Sequence, residues 1–479
     1  MKSIFFVTLA WMNSILVYSQ NVGIGINTPV EKLEIAGALK IGTTTGEHTG
    51  TIRWNPDRND FEGYNGVAWV SLTGSQGGWG EPDIYAYENG GTDFLLYHQD
   101  PFLGTSLGHS IAATEDIIFS GAYDDYTPSG IAGAGVVYVI TRAPDHWKTY
   151  PDFEFSSPAP TASEFFGFSL DRADDYLLVG APGWSGRKCR AFIYTFDPNG
   201  AQTLHATLNQ LDGINEDHFG YAVGMTNDFA FVGTPWKDFG GVGNCGRVTI
   251  FKRNPVTNVF SMIANLITPD AAPDDVFGKV ISASGNVVAI AAPWKDINGL
   301  QDQGKVYLYQ WDGSTWSLME SITSPDPAAK DEFGAALCLK EDTLFVGATQ
   351  ATSAVAGHHG KVYYYLRSGN HWIYQSTIVA SDGAIYNHFG NSISFKNGDL
   401  LIGAPRASIG LLESVGKAYM YRFNGTTWIQ QTILSASNRS SYDNFGFATT
   451  IANQTAVIGA PSAPVGFVPD NGRLYYFYK

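Results

Sequence analysis

The chain has 479 residues, with 45 acidic and 29 basic side chains and a formal net charge of −16. That balance excludes the basic patches that bind nucleic acid or anionic membrane surfaces. Aromatic residues reach 14%, charged residues only 15%, and there are 54 glycines. This is the composition expected of an all-β exported protein.

The N-terminus has the pattern of a signal peptide over residues 1–19. Lys2 supplies the positive charge, Ile4 to Val17 the apolar stretch, and the small residues Val17 and Ser19 precede a cleavage point before Gln20. The alternative is a membrane anchor, for which the stretch is short. No later segment is long and apolar enough to cross a bilayer. The expectation is a secreted or cell-surface protein with no membrane insertion after signal removal. Retention in the periplasm stays open.

Residues 20–75 form a small β-rich module. Asn65-Gly66, set between short alternating runs, predicts a tight hairpin. The VGIG-x-NTP start, the KLEIAG run and the GTIRWN…FEGYNG…W hairpin resemble stalk-type segments of exported bacterial surface and tail-fibre-like proteins. That resemblance implies a homotrimer through the N-terminal module. The alternative is a β appendage packed on the main domain. TGSQGGWGEP (73–82) is linker-like, with the linker proper at 76–82.

From residue 83 to 479 one pattern organises everything. Glycines 108, 167, 220, 278, 334, 390 and 446, mostly preceded by Phe, are each followed thirteen residues later by a small-residue triplet. Those triplets begin at Gly121, Gly180, Gly233, Ala291, Gly347, Gly403 and Gly459. Self-similarity at such a period marks a repeat architecture. One copy shows four strand signals: FGKVISA (277–283), VVAIAAP (287–293), GKVYLYQW (304–311) and WSLMESIT (316–323). Turns at Ser284-Gly285-Asn286 and Asp312-Gly313 separate them. Four strands per unit, seven units, predicts an all-β, seven-bladed β-propeller. The first strand should line the central channel. The last copy ends on its third strand, so DFLLYHQ (93–99) is expected to close the ring by pairing there.

The pattern resembles the FG-GAP repeats of the integrin α-subunit head, and more closely the bacterial repeats of that family. The resemblance implies a propeller used for adhesion or ligand binding. Calcium-binding members carry D-x-D-x-D-G between the first two strands. Here those connections are short, and Asp171, Asp174 and Asp175 have the wrong spacing. No calcium site, metal or other cofactor is expected. Glu164, Asp217, Asp275, Asp331, Asn387 and Asp443, two residues before each Phe, are expected to bond backbone N–H groups.

The long 2–3 and 4–1 connections share one face, where function usually lies. Candidate ligand-binding residues cluster there after the triplet: Tyr123 and Tyr126, Trp184, Trp236-Lys237-Asp238 and Trp294-Lys295-Asp296. They fit a platform that stacks on sugar rings, with Lys and Asp bonding hydroxyls, or anchors for a protein ligand. The alternative is that each Trp packs on its neighbouring loop. His358-His359 lacks a third metal ligand, and His109, His218 and His388 are read as structural. No hydrolase or phosphate-loop motif occurs. The expectation is a non-catalytic adhesion or ligand-binding protein, with a structural surface component, or a hydrolase or lyase with its site on the loop face, as alternatives. Cys189 and Cys245 occupy similar places in consecutive copies, three residues before Phe192 and Val248, but blade spacing disfavours a bridge. Cys338 reads as a buried apolar residue.

Overall fold

In the computed structural model the described residues are five strands between 22 and 71, by backbone only apart from Ile52, and most of 105–478. Within the latter, residues 144–146, 149–150, 184–188, 211, 213–216, 353–358, 437, 453 and 465–470 fall outside the description. The chain divides into two compact units, residues 1–78 and 79–479.

In the first unit, Val22–Ile24 pairs in parallel with Leu33–Ile35. Ile52–Asn55, Asp60–Tyr64 and Trp69–Ser71 form an antiparallel sheet. The hairpin predicted at Asn65-Gly66 is present, but Tyr64 pairs with Trp69. Four residues therefore separate the paired ends, a longer connection than the tight hairpin expected there.

The second unit holds seven antiparallel sheets, six of four strands and one of three, each ordered as in the sequence. They are the blades of a seven-bladed β-propeller. The innermost strands are Ser110–Ala113, Ser169–Ala173, Val223–Met225, Val280–Ser284, Phe333–Lys340, Ser392–Lys396 and Ala448–Ala452. Blade four follows the sequence reading closely: Val280–Ser284, Val287–Ala292, Lys305–Trp311 and Trp316–Ile322. Ser284 pairs with Val287 around a two-residue turn that puts Gly285 at φ +57°. Asp312 Oδ1 accepts the Ser314 and Thr315 N–H groups, both at 2.8 Å, to turn the chain into the fourth strand.

The two glycine elements exist for each other across blades. A Cβ on Gly180 would stand 2.1 Å from the Gly220 carbonyl oxygen, and one on Gly403 1.9 Å from that of Gly446. The triplet of one blade is thus pressed against the Phe-Gly backbone of the next. The Phe then turns into its own blade. Phe166, Phe277, Phe333, Phe389 and Phe445 are fully buried against third-strand aromatics, as with Phe277 on Tyr307 at 5.5 Å.

The ring closes between blades seven and one. Leu107 bridges Gly472 in parallel, and its N–H donates to the Asn471 carbonyl at 3.2 Å. Trp147 of blade one is fully buried and stacks on Tyr476 of blade seven at 6.2 Å. The closing strand proposed at 93–99 lies outside the described residues.

All three cysteines are free. Register also corrects their presumed equivalence. Ala181 pairs with Arg190 and Thr234 with Arg247, so Cys189 matches Gly246 rather than Cys245. Their thiols go to different carbonyls, Pro182 for Cys189 and Lys237 for Cys245.

Candidate functional site

The loop face is built by a zipper between consecutive blades. The residue before each Phe-Gly pair, or before Leu107-Gly108 in blade one, has a left-handed backbone: Ser106, Phe165, His218, Val276, Glu332, His388 and Asn444, with φ from +50° to +59°. For a β-branched residue such as Val276 this conformation is costly. It is held by hydrogen bonds to the preceding blade's 2–3 loop. Val276 N–H donates to Asn244 O and Phe277 N–H to Cys245 O, both at 3.1 Å. The same pair recurs from Asn444 and Phe445 to Ser414 and Val415.

Beneath the zipper sit the acidic residues. Glu164, Asp217, Asp275, Asp331 and Asp443 are all buried. Asp275, Asp331 and Asp443 each accept the N–H three residues back, at 2.7, 2.7 and 2.6 Å. At these three, and at Glu164 through the Thr161 N–H, the geometry shows the backbone-capping role read from sequence. In three blades a cation completes the arrangement: Arg190 on Glu164, Lys237 on Asp217, Lys295 on Asp275. Burial still pushes the Glu164 and Asp275 carboxyls above the usual range, opposed by these partners.

This accounts for part of the candidate platform. Lys295 is buried, and its Nζ donates to Asp275 Oδ2 at 2.8 Å and Asp270 O at 2.6 Å. Lys237 likewise spans Asp217 and the Asp212 carbonyl. Asp238 and Asp296 accept the N–H groups of Asn244 and Asp302 at 2.8 Å and shape their own loops. The Lys and Asp of each Trp-Lys-Asp triplet therefore hold the scaffold. Tyr126 donates its N–H to buried Asp125, whose carboxyl burial raises to about 7. Trp184 lies outside the described residues.

The aromatic members do converge, with partners that motif reading missed. The residue directly after the glycine in each copy stands at the loop-face entry to the innermost strand, and in four copies it is a ring that meets others across blades. His109 of blade one meets Phe168 of blade two at 4.7 Å and Phe447 of blade seven at 5.0 Å. Phe168 meets Tyr221 of blade three at 4.8 Å, and Tyr221 meets Trp236 at 4.8 Å. Tyr123 joins at 4.5 Å from His109. All six rings are half-buried. The result is an arc across blades seven, one, two and three. His109 adds no charge to it near neutrality, because burial lowers its pKa to about 4. Its Nδ1 donates to the Phe168 carbonyl at 3.0 Å, which leaves Nε2 as an acceptor. The remaining positions of the ring are Lys279, Ala335 and Asn391. Trp294 faces Lys279 rather than the arc, its ring centroid 3.5 Å from the Lys279 Nζ.

Toward the short-turn end the channel holds a cavity of about 880 Å³ lined by first-strand residues including Asp171, Met225, Ser282, Lys340 and Ser394. Several of its polar groups lash neighbouring blades. Asp171 Oδ2 accepts Met225 N–H at 2.7 Å, Ser282 accepts Leu339 N–H and Ser394 accepts Ile451 N–H. Among the described residues no three His, Cys, Asp or Glu side chains converge as a metal group.

A seven-bladed β-propeller with glycine-nested blades and an aromatic channel mouth is the class these features define. The particular repeats can be named as well. Residues 260–309, 316–365, 372–421 and 428–477 match the FG-GAP repeat in four consecutive tandem copies. Each begins at the aromatic opening a fourth strand and runs through the third strand of the next blade. No curated protein matches the chain. A solved structure of a candidate 6-phosphogluconolactonase from Bacteroides uniformis aligns over 69% of this chain and 86% of its own, at 9% identity and a TM-score of 0.48.

Proposed function

We propose that this is an exported, non-catalytic binding protein whose loop-face channel mouth stacks on the sugar rings of a surface glycan. One observation carries the reading: six half-buried aromatic rings from four blades form a continuous uncharged arc there. Rings with one packed side and one wet side suit the apolar face of a pyranose. The signal-like segment over residues 1–19 supports export.

A protein ligand is the second reading, supported by apolar loop tips on the same face. Leu411 is fully exposed, and Phe239, Tyr386 and Tyr442 are more than half exposed. Glycan-array binding by the full chain, alongside Tyr221→Ala/Trp236→Ala, decides between them. Saccharide binding lost in the variant supports the arc as the site. Absence of saccharide binding by both chains overturns it and moves the search to protein ligands at the loop tips.

A further inference from the structure

The ring of seven side chains at the channel mouth contains one lysine, Lys279, whose pKa burial lowers to about 8, so that its amine stays largely protonated at neutral pH. The other lysines with sheltered head groups on this face all meet a carboxylate. Lys237 pairs with Asp217, Lys295 with Asp275, Lys305 with Asp270, Lys361 with Asp326 and Lys417 with Asp382. Lys279 does not. Among the described residues its ammonium makes no hydrogen bond or ion pair and instead lies over the Trp294 ring.

The nearby carboxylates that act on it at longer range are Glu332 and Asp302. Glu332 already accepts hydrogen bonds from Thr349 at 3.0 Å and Gln350 at 2.6 Å. An ammonium carries three donors, and here no protein acceptor meets them among the described residues, so part of its lost hydration goes uncompensated. The cation–π contact supplies part of the compensation but no acceptor. A ligand oxygen anion supplies both.

The neighbouring blade offers the complementary half. Tyr221 and Trp236 occupy in blade three the positions that Lys279 and Trp294 occupy in blade four. A saccharide spanning one blade step would set a ring on Tyr221 and Trp236 and an acid group at Lys279.

We infer that the mouth selects acidic saccharides, with Lys279 receiving a uronic acid carboxylate; this rests on the saccharide reading above. Neutral aromatics alone would not discriminate charge. A positioned ammonium does, because its charge-assisted hydrogen bond to a carboxylate offsets the hydration both groups lose.

The test is calorimetric titration of the full chain with trigalacturonate and trimannuronate, each against its neutral trisaccharide counterpart. Lys279→Gln and Lys279→Arg are titrated in parallel, with melting curves to verify folding. The expected result is at least tenfold tighter binding of an acidic trisaccharide, lost in Lys279→Gln and largely kept in Lys279→Arg, with neutral binding unchanged. Equal affinity for acidic and neutral sugars in wild type and Lys279→Gln overturns the charge selectivity but leaves the aromatic site standing. Binding of neutral sugars alone does the same. Failure of every saccharide overturns both readings. Should Lys279→Gln fail to fold, charge preference in the wild type and its retention in Lys279→Arg still decide the outcome.

Discussion

The Gly220 carbonyl oxygen stands 2.1 Å from the point a Cβ on Gly180 would occupy, and the same fit recurs between Gly347 and Gly390 at 2.2 Å. Blade-to-blade contact is therefore backbone against backbone, with no side chain able to yield. Gly180→Ala should destabilise the propeller by about 3 kcal/mol, the scale of overpacking against rigid atoms. Gly285→Ala, where nothing lies within 4 Å and only φ +57° is strained, should cost about 1 kcal/mol. Denaturant melts of both variants check the order; equal losses would refute the nesting account. Blade four shows the limit of substitution. It carries Ala291, and a Cβ on Gly334 would come within 2.7 Å of the Ala291 Cβ, so there the partner must remain glycine.

Lys295 and Asp275 form a buried pair. Removing only the lysine leaves a carboxylate buried without its charge partner, a loss of about 3–5 kcal/mol. Lys295→Met should lower Tm strongly, and Lys295→Met/Asp275→Asn should recover part of the loss. If saccharide binding by Lys295→Met is unchanged at a temperature where it is folded, the lysine serves the scaffold. Selective loss of binding with unchanged Tm would return it to the ligand site.

Trp147 joins blades one and seven. Its ring stacks on Tyr476, and its backbone N–H donates to the Tyr478 hydroxyl oxygen at 2.8 Å. Trp147→Ala should cost about 3–5 kcal/mol and expose the ring closure to proteolysis first. Limited digestion followed by mass mapping reads this out. First cleavage elsewhere, with blades one and seven intact, would show that closure does not depend on this contact.

His109 gives the fold an acid sensitivity with a definite sign. Burial lowers its pKa from 6.5 to about 4, against the opposing hydrogen bond to Phe168. The folded state thus resists protonation that the unfolded chain accepts. This contribution is complete above about pH 6.5 and declines as the pH falls toward 4, by up to about 3 kcal/mol. His109→Gln, which can still donate to the Phe168 carbonyl, should lose less Tm between pH 7.5 and 5 than the wild type. Identical losses would place the acid sensitivity elsewhere.

Much of this was legible in the chain. Constant spacing between Phe-Gly and the triplet fixes the blade count, because each copy repeats one hydrogen-bonded hairpin plus two strands. Turn residues placed the strands of blade four within about three residues. The candidate site was legible only in part. Trp236 and Tyr123 were found through their loop positions, but His109 was read as structural, and Phe168, Tyr221, Lys279 and Phe447 were passed over. Their common signal, the position directly after the glycine, was present at the same repeat spacing. It was hidden because the residue type varies while the geometry does not. The Asp270, Asp326 and Asp382 staples on third-strand Lys and Tyr were missed for another reason: 35 to 37 residues separate the partners.

The sequence by itself determined a seven-unit all-β repeat, its strand order and the need for small residues at two fixed places. Local hydrogen bonding and steric size are sufficient for that. Only the tertiary structure decided which lysines are bound to carboxylates and which one is left facing the channel mouth. That choice depends on where curvature of the ring brings the loops of successive blades, and on burial, which separates Lys295 from Lys279 although both belong to the same blade.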